Sequence, residues 1–262
     1  LQREEYRRTE SRGEVRKKAE LLTVNLYRLK KGDSVLYCED YYEEGSPETA
    51  IELDPLKTPQ QNAAALYKEY NKRKAAAEHL SVLIAQGEQQ LDYLESVLDE
   101  LSRTESEKDL SELRRELTET GYLKMPKKGK PEKIKAQGPL LYRSDDGFEI
   151  LVGRSNLQND ELTTKLARRT DYWLHVQKIH GSHVIVRCEG EAPPQRTIEQ
   201  AASLAAFHSQ GKAGGKIPVD YTMLRYVRKP SGALPGKVIY TDYKTLFTQA
   251  DEVLEARLRQ KK

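Results

Sequence analysis

Residues 59–103 read PQQNAAALYKEYNKRKAAAEHLSVLIAQGEQQLDYLESVLDELSR, and this stretch decides the fold. Its apolar side chains fall at Leu66, Tyr70, Ala77, Leu80, Ile84, Leu91, Leu94, Leu98 and Leu101, with Arg73 and Gly87 in the two gaps. Steps alternating between three and four mark a coiled-coil seam. The seam predicts roughly five heptads, or about 65 Å of continuous helix.

Working outward, the seam needs a partner. Val15, Ala19, Leu22, Leu26 and Leu29 carry the same spacing, so a first helix is predicted from near residue 3 to about 31. Gly32 suits its C-terminal cap, with Lys30 and Lys31 at the negative end of the dipole. Between the helices, 34–37 and 49–53 read as short strands joined through Glu44-Gly45-Ser46-Pro47. Asp54-Pro55 ends the second strand, and Thr58-Pro59 supplies a cap residue followed by proline at the first helical position. The prediction is an antiparallel helix pair with a hairpin (about 33–54) at its tip. Gly87 is read as a point of close approach by the partner helix. A third helix, about 107–120, ends at Gly121, which completes a coiled-coil region over 1–123.

A basic Pro/Gly linker follows at 124–138. A second, compact module is predicted over 139–250, with 251–262 as a tail. Asp145-Asp146-Gly147 between two apolar runs signals a hairpin. A short helix is expected to open at Asn159, and another over 197–210. Strands are expected at 172–176, 183–188, 221–227 and 237–240. This mixed order fits an α+β class, not a repeating βαβ unit.

The net charge of +3 hides an asymmetry. Residues 1–125 hold 20 Lys+Arg against 26 Asp+Glu, while 126–262 hold 24 against 15. An acidic rod presenting a basic module points to a polyanionic partner. The two cysteines, Cys38 and Cys188, lie in different predicted regions without metal-ligand spacing, which argues for a reducing compartment. No apolar run approaches the roughly 18 residues that span a membrane. The chain opens Leu1-Gln2-Arg3-Glu4 and reads as part of a longer protein.

Few residues suggest catalysis. Gly211-Lys212-Ala213-Gly214-Gly215-Lys216 fails as a phosphate loop: Gln210 stands where the first glycine belongs, and Ile217 where magnesium needs a hydroxyl. Its backbone N–H groups, with Lys212 and Lys216, remain available to a phosphate diester. His175, His180 and His183 cluster without a carboxylate or thiol pair at metal spacing, so no metal site is assigned. His175 and His183 are instead read as protonatable groups that face phosphate or as hydrogen-bonded histidines at a sheet edge. Asp171 is read as capping a turn, and Trp173 as a core residue or stacking face. Arg154, Asn156, Gln158 and Asn159 fall at one strand-to-helix corner, with Lys165, Arg168 and Arg169 behind them. Cations and amides on loops suit phosphate and base-edge contact. The amides equally suit helix capping.

Gly153-Arg154-Ser155-Asn156-Leu157-Gln158-Asn159-Asp160, Asp171-Tyr172-Trp173-Leu174-His175 and Gly181-Ser182-His183-Val184-Ile185 resemble the signatures of the NFACT-R domain. Upstream, Ala19-Glu20-Leu21-Leu22, Asn25-Leu26-Tyr27, Glu39-Asp40-Tyr41-Tyr42 and Leu53-Asp54-Pro55 resemble the coiled-coil and middle segments of the same NFACT family. Ser155 departs from the family's Gly-Arg-Asn-Asn pattern. The family's NFACT-N and helix-hairpin-helix domains are not recognised in this stretch.

The resemblance implies a non-enzymatic, cytoplasmic role in ribosome quality control. The partners it implies are the large ribosomal subunit, through rRNA and stalk-base proteins, and tRNA, in support of alanine tailing of stalled chains. No cofactor is implied. A surface adhesin that binds fibronectin is the alternative the family's older name brings. A nuclease would need clustered carboxylates, and Asp145 and Asp146 sit in a turn.

Overall fold

The computed structural model describes residues 1–104, 106–124 and 138–260. The predicted linker, apart from its two end residues, lies outside the described residues. The chain divides into two compact units, Leu1–Gln90 and Leu91–Lys262, and the long helix passes from one to the other.

The first unit is an antiparallel helix pair closed by a hairpin. Helices α1 (Gln2–Glu10) and α2 (Arg12–Val24) run against α3 (Pro59–Ser102). Arg3 pairs with Glu88 at 2.6 Å, and Arg73 Nη1 donates to Ser11 Oγ at 2.6 Å, which fixes the opposed direction. Contrary to the prediction, the first helix is not continuous to residue 31. It breaks at Ser11 and ends at Asn25, whose Nδ2 donates to the Leu21 carbonyl at 2.8 Å and competes with the helical ladder. Gly87 has room to spare: a Cβ there would lie 4.0 Å from Gln2 Oε1.

Strands β1 (Val35–Glu39) and β2 (Glu48–Glu52) pair antiparallel, with Leu36 opposite Ile51. Alternation puts Leu36, Cys38 and Ile51 on one face, where they join Leu21, Leu22, Leu53 and Ala63 in a small core. The start of α3 is a capping box. Thr58 Oγ1 accepts from Gln61 N at 3.2 Å, and Gln61 Oε1 accepts from Thr58 N at 2.9 Å.

In the second unit the seam changes face. Tyr93 and Val97 are buried against Leu113 and Leu117 of α4 (Glu107–Glu119), while Leu91, Leu98 and Leu101 are exposed. The predicted seam therefore holds through Ile84 and is replaced after Gln90, because α4 covers the neighbouring stripe.

The remainder forms a six-stranded antiparallel sheet ordered β10-β7-β5-β6-β4-β3, from β3 (Leu140–Arg143), β4 (Glu149–Val152), β5 (Tyr172–Val176), β6 (Val184–Val186), β7 (Ile217–Met223) and β10 (Lys244–Thr248). One face packs Ile150, Leu174, Val184 and Val186 against Ile198, Ala201 and Ala205 of α6 (Gln195–Phe207). The other face packs Leu151, Trp173 and Ile185 under Leu162, Leu224 and a small hairpin, β8 (Val227–Arg228) with β9 (Ile239–Tyr240). Residues 252–258, read from sequence as part of a tail, form α7 (Glu252–Leu258). It buries Leu258 in the core, and the chain beyond it continues along the β3 edge, where Gln260 N donates to Leu141 O.

Candidate nucleic-acid interface

The predicted site residues separate into three places. The first is interior. Helix α5 (Asn156–Glu161) opens on Ser155, not at Asn159 as predicted, because the Ser155 hydroxyl accepts from Gln158 N at 3.3 Å. This explains the departure at Ser155: the residue is a buried cap. Asn156 Nδ2 donates to Ser96 Oγ at 2.8 Å, and Gln158 Nε2 donates to Glu112 Oε2 at 2.7 Å. Asn159 Oδ1 accepts from His183 N at 2.9 Å. Gly153 makes that contact possible, since a Cβ there would stand 2.1 Å from Asn159 Oδ1. All three amides are buried, so they hold α5 to α3, to α4 and to His183 just before β6, and offer no edge to a base. Arg154 lies at the same junction, its Nη1 3.3 Å from Asp109 Oδ1.

Glu116 and Glu100 flank this junction as buried carboxyls. Glu116 accepts from the Tyr93 hydroxyl at 2.8 Å and from Leu157 N at 3.2 Å. Burial holds both above the usual carboxylate range, and the nearby Glu116 raises Glu100 further as a smaller effect.

Of the two candidate histidines, His183 is buried and His175 is half-buried. His175 stacks on Trp173 with centroids 5.7 Å apart, and His183 meets the same indole edge-on at 5.3 Å. Burial lowers His175 to about 4 and His183 to about 3, so both are neutral at pH 7 and neither is a cationic phosphate ligand. Asp171 does cap its turn: its Oδ2 accepts from Arg168 N at 2.7 Å and its Oδ1 from Cys188 N at 2.9 Å. Trp173 is fully buried.

The second place is the loop at 210–216. Lys212 and Lys216 are exposed, with Lys212 Nζ 3.8 Å over the Phe207 ring. Three of the N–H groups the sequence offered to phosphate are engaged internally. Gly211 N donates to Ser209 Oγ, Lys212 N to Ser209 O, and Gly214 N to Gly211 O.

The third place is a cationic corner. Lys165, Arg168 and Arg169 are exposed beside the start of β5. Because β5 and β7 run antiparallel with Tyr172 opposite Met223, the chain leaving β7 returns to this point. Arg225 N donates to Arg169 O at 3.2 Å, and Arg228 follows on β8. Lys229, paired with Asp160, ties the hairpin to α5. Among the described residues Lys165, Arg168, Arg169, Arg225 and Arg228 make no ion pair with a carboxylate, and all five are exposed. The sequence reading missed Arg225 and Arg228. Their signal, cations interleaved with aromatics in Leu224-Arg225-Tyr226-Val227-Arg228-Lys229, was present. Lys212 and Lys216 stand at the opposite end of β7 and do not join this corner.

Among the described residues there is no group of three or more His, Cys, Asp or Glu side chains placed to hold a metal ion. No helix among them is long and apolar enough to cross a membrane.

An α+β domain carrying such a corner belongs to the class of nucleic-acid-binding modules. Comparison with known families supports that class: residues 139–242 match the NFACT protein RNA binding domain, and residues 1–136 match the NFACT N-terminal and middle domains. The chain belongs to the NFACT family. The match begins at residue 1, where the sequence reading recognised only coiled-coil and middle segments. The chain is 42% identical over 234 residues to the Rqc2 homolog RqcH of Bacillus subtilis, covering 88% of this chain and 40% of that protein. It is 40% identical over 247 residues to the Rqc2 homolog RqcH of Streptococcus suis, covering 94% and 44%. It therefore spans less than half the length of these curated relatives. A solved structure of the C-terminal part of the fibronectin/fibrinogen-binding protein from Streptococcus suis superposes with a TM-score of 0.78 at 33% identity, covering 99% of this chain and 89% of that one.

Proposed function

We propose that this chain is an RNA-contacting, non-catalytic part of a cytoplasmic ribosome quality-control factor. In this reading it helps hold the factor on large ribosomal subunits, and on tRNA, while stalled chains receive alanine tails. The observation that carries the reading is the gathering of Lys165, Arg168, Arg169, Arg225 and Arg228, exposed and without ion-pair partners among the described residues, in a domain of RNA-binding type. Unpaired cations exposed on one corner neutralise phosphates and release counterions, which is the largest source of affinity for a nucleic acid. Peptide-bond formation would be the ribosome's chemistry, and this chain would supply position. The relatives named RqcH support the assignment.

Sedimenting the chain with purified large ribosomal subunits through sucrose tests the reading. Co-sedimentation that weakens steeply with salt is expected. No co-sedimentation at low salt would contradict it. The alternative, an adhesin, is favoured by one observation, the name of the solved relative from Streptococcus suis. Solid-phase binding to immobilised fibronectin that is saturable and unaffected by loss of the five cations would favour that alternative.

A further inference from the structure

We propose that the β8–β9 hairpin is a stacking platform for unpaired bases, so that the ligand of the cationic corner is single-stranded, not duplex, RNA. This rests on the RNA-binding reading above and narrows it.

The hairpin has two different faces. Val227 pairs with Tyr240, and both pack inward with Val238 onto the cluster around Trp173. Arg228 pairs with Ile239, and strand alternation puts both on the outer face. Arg228 is exposed, and Ile239 is 42% exposed. Arg225 lays its guanidinium over the Tyr226 ring, 4.8 Å from the centroid. A planar cation on a half-buried ring makes a flat, positively charged surface where the chain enters the hairpin.

A second ring stands where the chain leaves the hairpin, at the same base, since Thr241 N donates to Tyr226 O at 3.2 Å. Tyr243 is 48% exposed, and its ring meets Tyr240 edge-on at 5.2 Å. Tyr240 is itself fixed: its hydroxyl donates to Asp220 Oδ2 at 2.7 Å, and its ring packs 4.8 Å from Trp173. Thr222 Oγ1 donates to the Asp242 carbonyl at 2.9 Å, holding the residue before Tyr243. Tyr243 is thus an exposed aromatic surface on an immobile base, which loses little freedom on binding.

Arg168, Arg169, Arg225 and Arg228, exposed at the same corner, supply the phosphate contacts. Bases in an A-form duplex keep their faces inside the stack, so exposed rings add nothing to duplex affinity. An unpaired base offers a free face, and each stacked base is worth about five- to a hundredfold in affinity.

The test uses the whole chain and a labelled, unstructured RNA of roughly twelve nucleotides, with a duplex of the same length, at one salt concentration. Fluorescence anisotropy reads the affinity of the parent and of Tyr226→Leu, Tyr243→Leu, Tyr226→Phe and Tyr243→Phe. Preference for the single strand is expected. So are about five- to a hundredfold losses in the leucine variants, restoration by phenylalanine, and an unchanged salt dependence. Equal affinity for duplex and single strand, or leucine variants that bind like the parent, would overturn the platform while leaving electrostatic RNA binding standing. No binding of either RNA at low salt would overturn the RNA-binding reading itself. Tyr243→Leu alters an exposed side chain and keeps the test decisive if Tyr226→Leu fails to fold.

Discussion

Replacing Asn159 by alanine separates a structural amide from an RNA-reading one. The carboxamide is 3% exposed, and its Oδ1 is the acceptor for His183 N–H at 2.9 Å. Truncation leaves that buried N–H without its acceptor, at a cost of about 1–3 kcal/mol. For a unit of this size each kcal/mol lowers Tm by roughly 2–4 °C, so the expected loss is about 2–12 °C. The chain has one tryptophan, Trp173, which lies in the second unit and touches His183. Its fluorescence during a urea melt reports this unit without interference from the helix pair. A lower urea midpoint is expected, together with RNA affinity within about twofold of the parent under conditions where both are folded. Unchanged stability with an affinity loss of about tenfold would refute the reasoning and place the amide on the RNA.

Three further outcomes follow from the same geometry. Gly153→Ala should destabilise the second unit by at least as much as Asn159→Ala, because the new Cβ would collide with Asn159 Oδ1; a Trp173-monitored midpoint equal to the parent's would contradict this. Thr58→Ala removes one half of a capping box and should cost the first unit about 1 kcal/mol, read by far-UV circular dichroism in urea, with Trp173 fluorescence unmoved. Lowering the pH from 7 to 5 should destabilise the second unit. His175, His183 and His208, whose Nε2 lies 2.8 Å from the Tyr142 hydroxyl, have folded values of about 4, 3 and 3, below the usual 6.5. The unfolded chain therefore takes up protons first as pH falls through 6.5, by at most about 1.4 kcal/mol per pH unit for each group. Glu100 and Glu116, raised by burial, act in the opposite sense and reduce the slope. Equal stability at both pH values in a chain carrying Glu100→Gln and Glu116→Gln would show that the imidazoles are not held neutral.

The helix pair was readable because local rules governed it. The Thr58-Pro59 start, the turn at Glu44-Gly45-Ser46-Pro47 and the seam through Ile84 are all set by residues near one another in sequence. The seam failed after Gln90 because two apolar stripes coexist there. Leu91, Leu98 and Leu101 keep the heptad, but Tyr93 and Val97 are the residues α4 covers. Nothing in the periodicity says which stripe finds a partner.

The candidate site failed in a related way. Asn156, Gln158 and Asn159 have the chemistry of base-edge contacts, and only their burial shows that they serve the protein. Lys165, Arg168 and Arg169 are legible as an exposed cluster because they are close in sequence. Arg225 and Arg228 were missed because the β5–β7 pairing, a long-range contact, brings them to the same corner.

The most direct measurement is the salt dependence of RNA affinity for the parent chain and for a variant with Arg168, Arg169, Arg225 and Arg228 replaced by alanine. On single-stranded RNA each neutralised phosphate contributes a slope of about −0.7 in log affinity against log salt. Five cations predict a parent slope near −3.5, or roughly a hundredfold loss between about 50 and 200 mM salt. The variant, left with Lys165, should fall to a slope near −0.7, with roughly a threefold loss over the same range. A variant that keeps the parent's slope would place the RNA elsewhere and contradict the account.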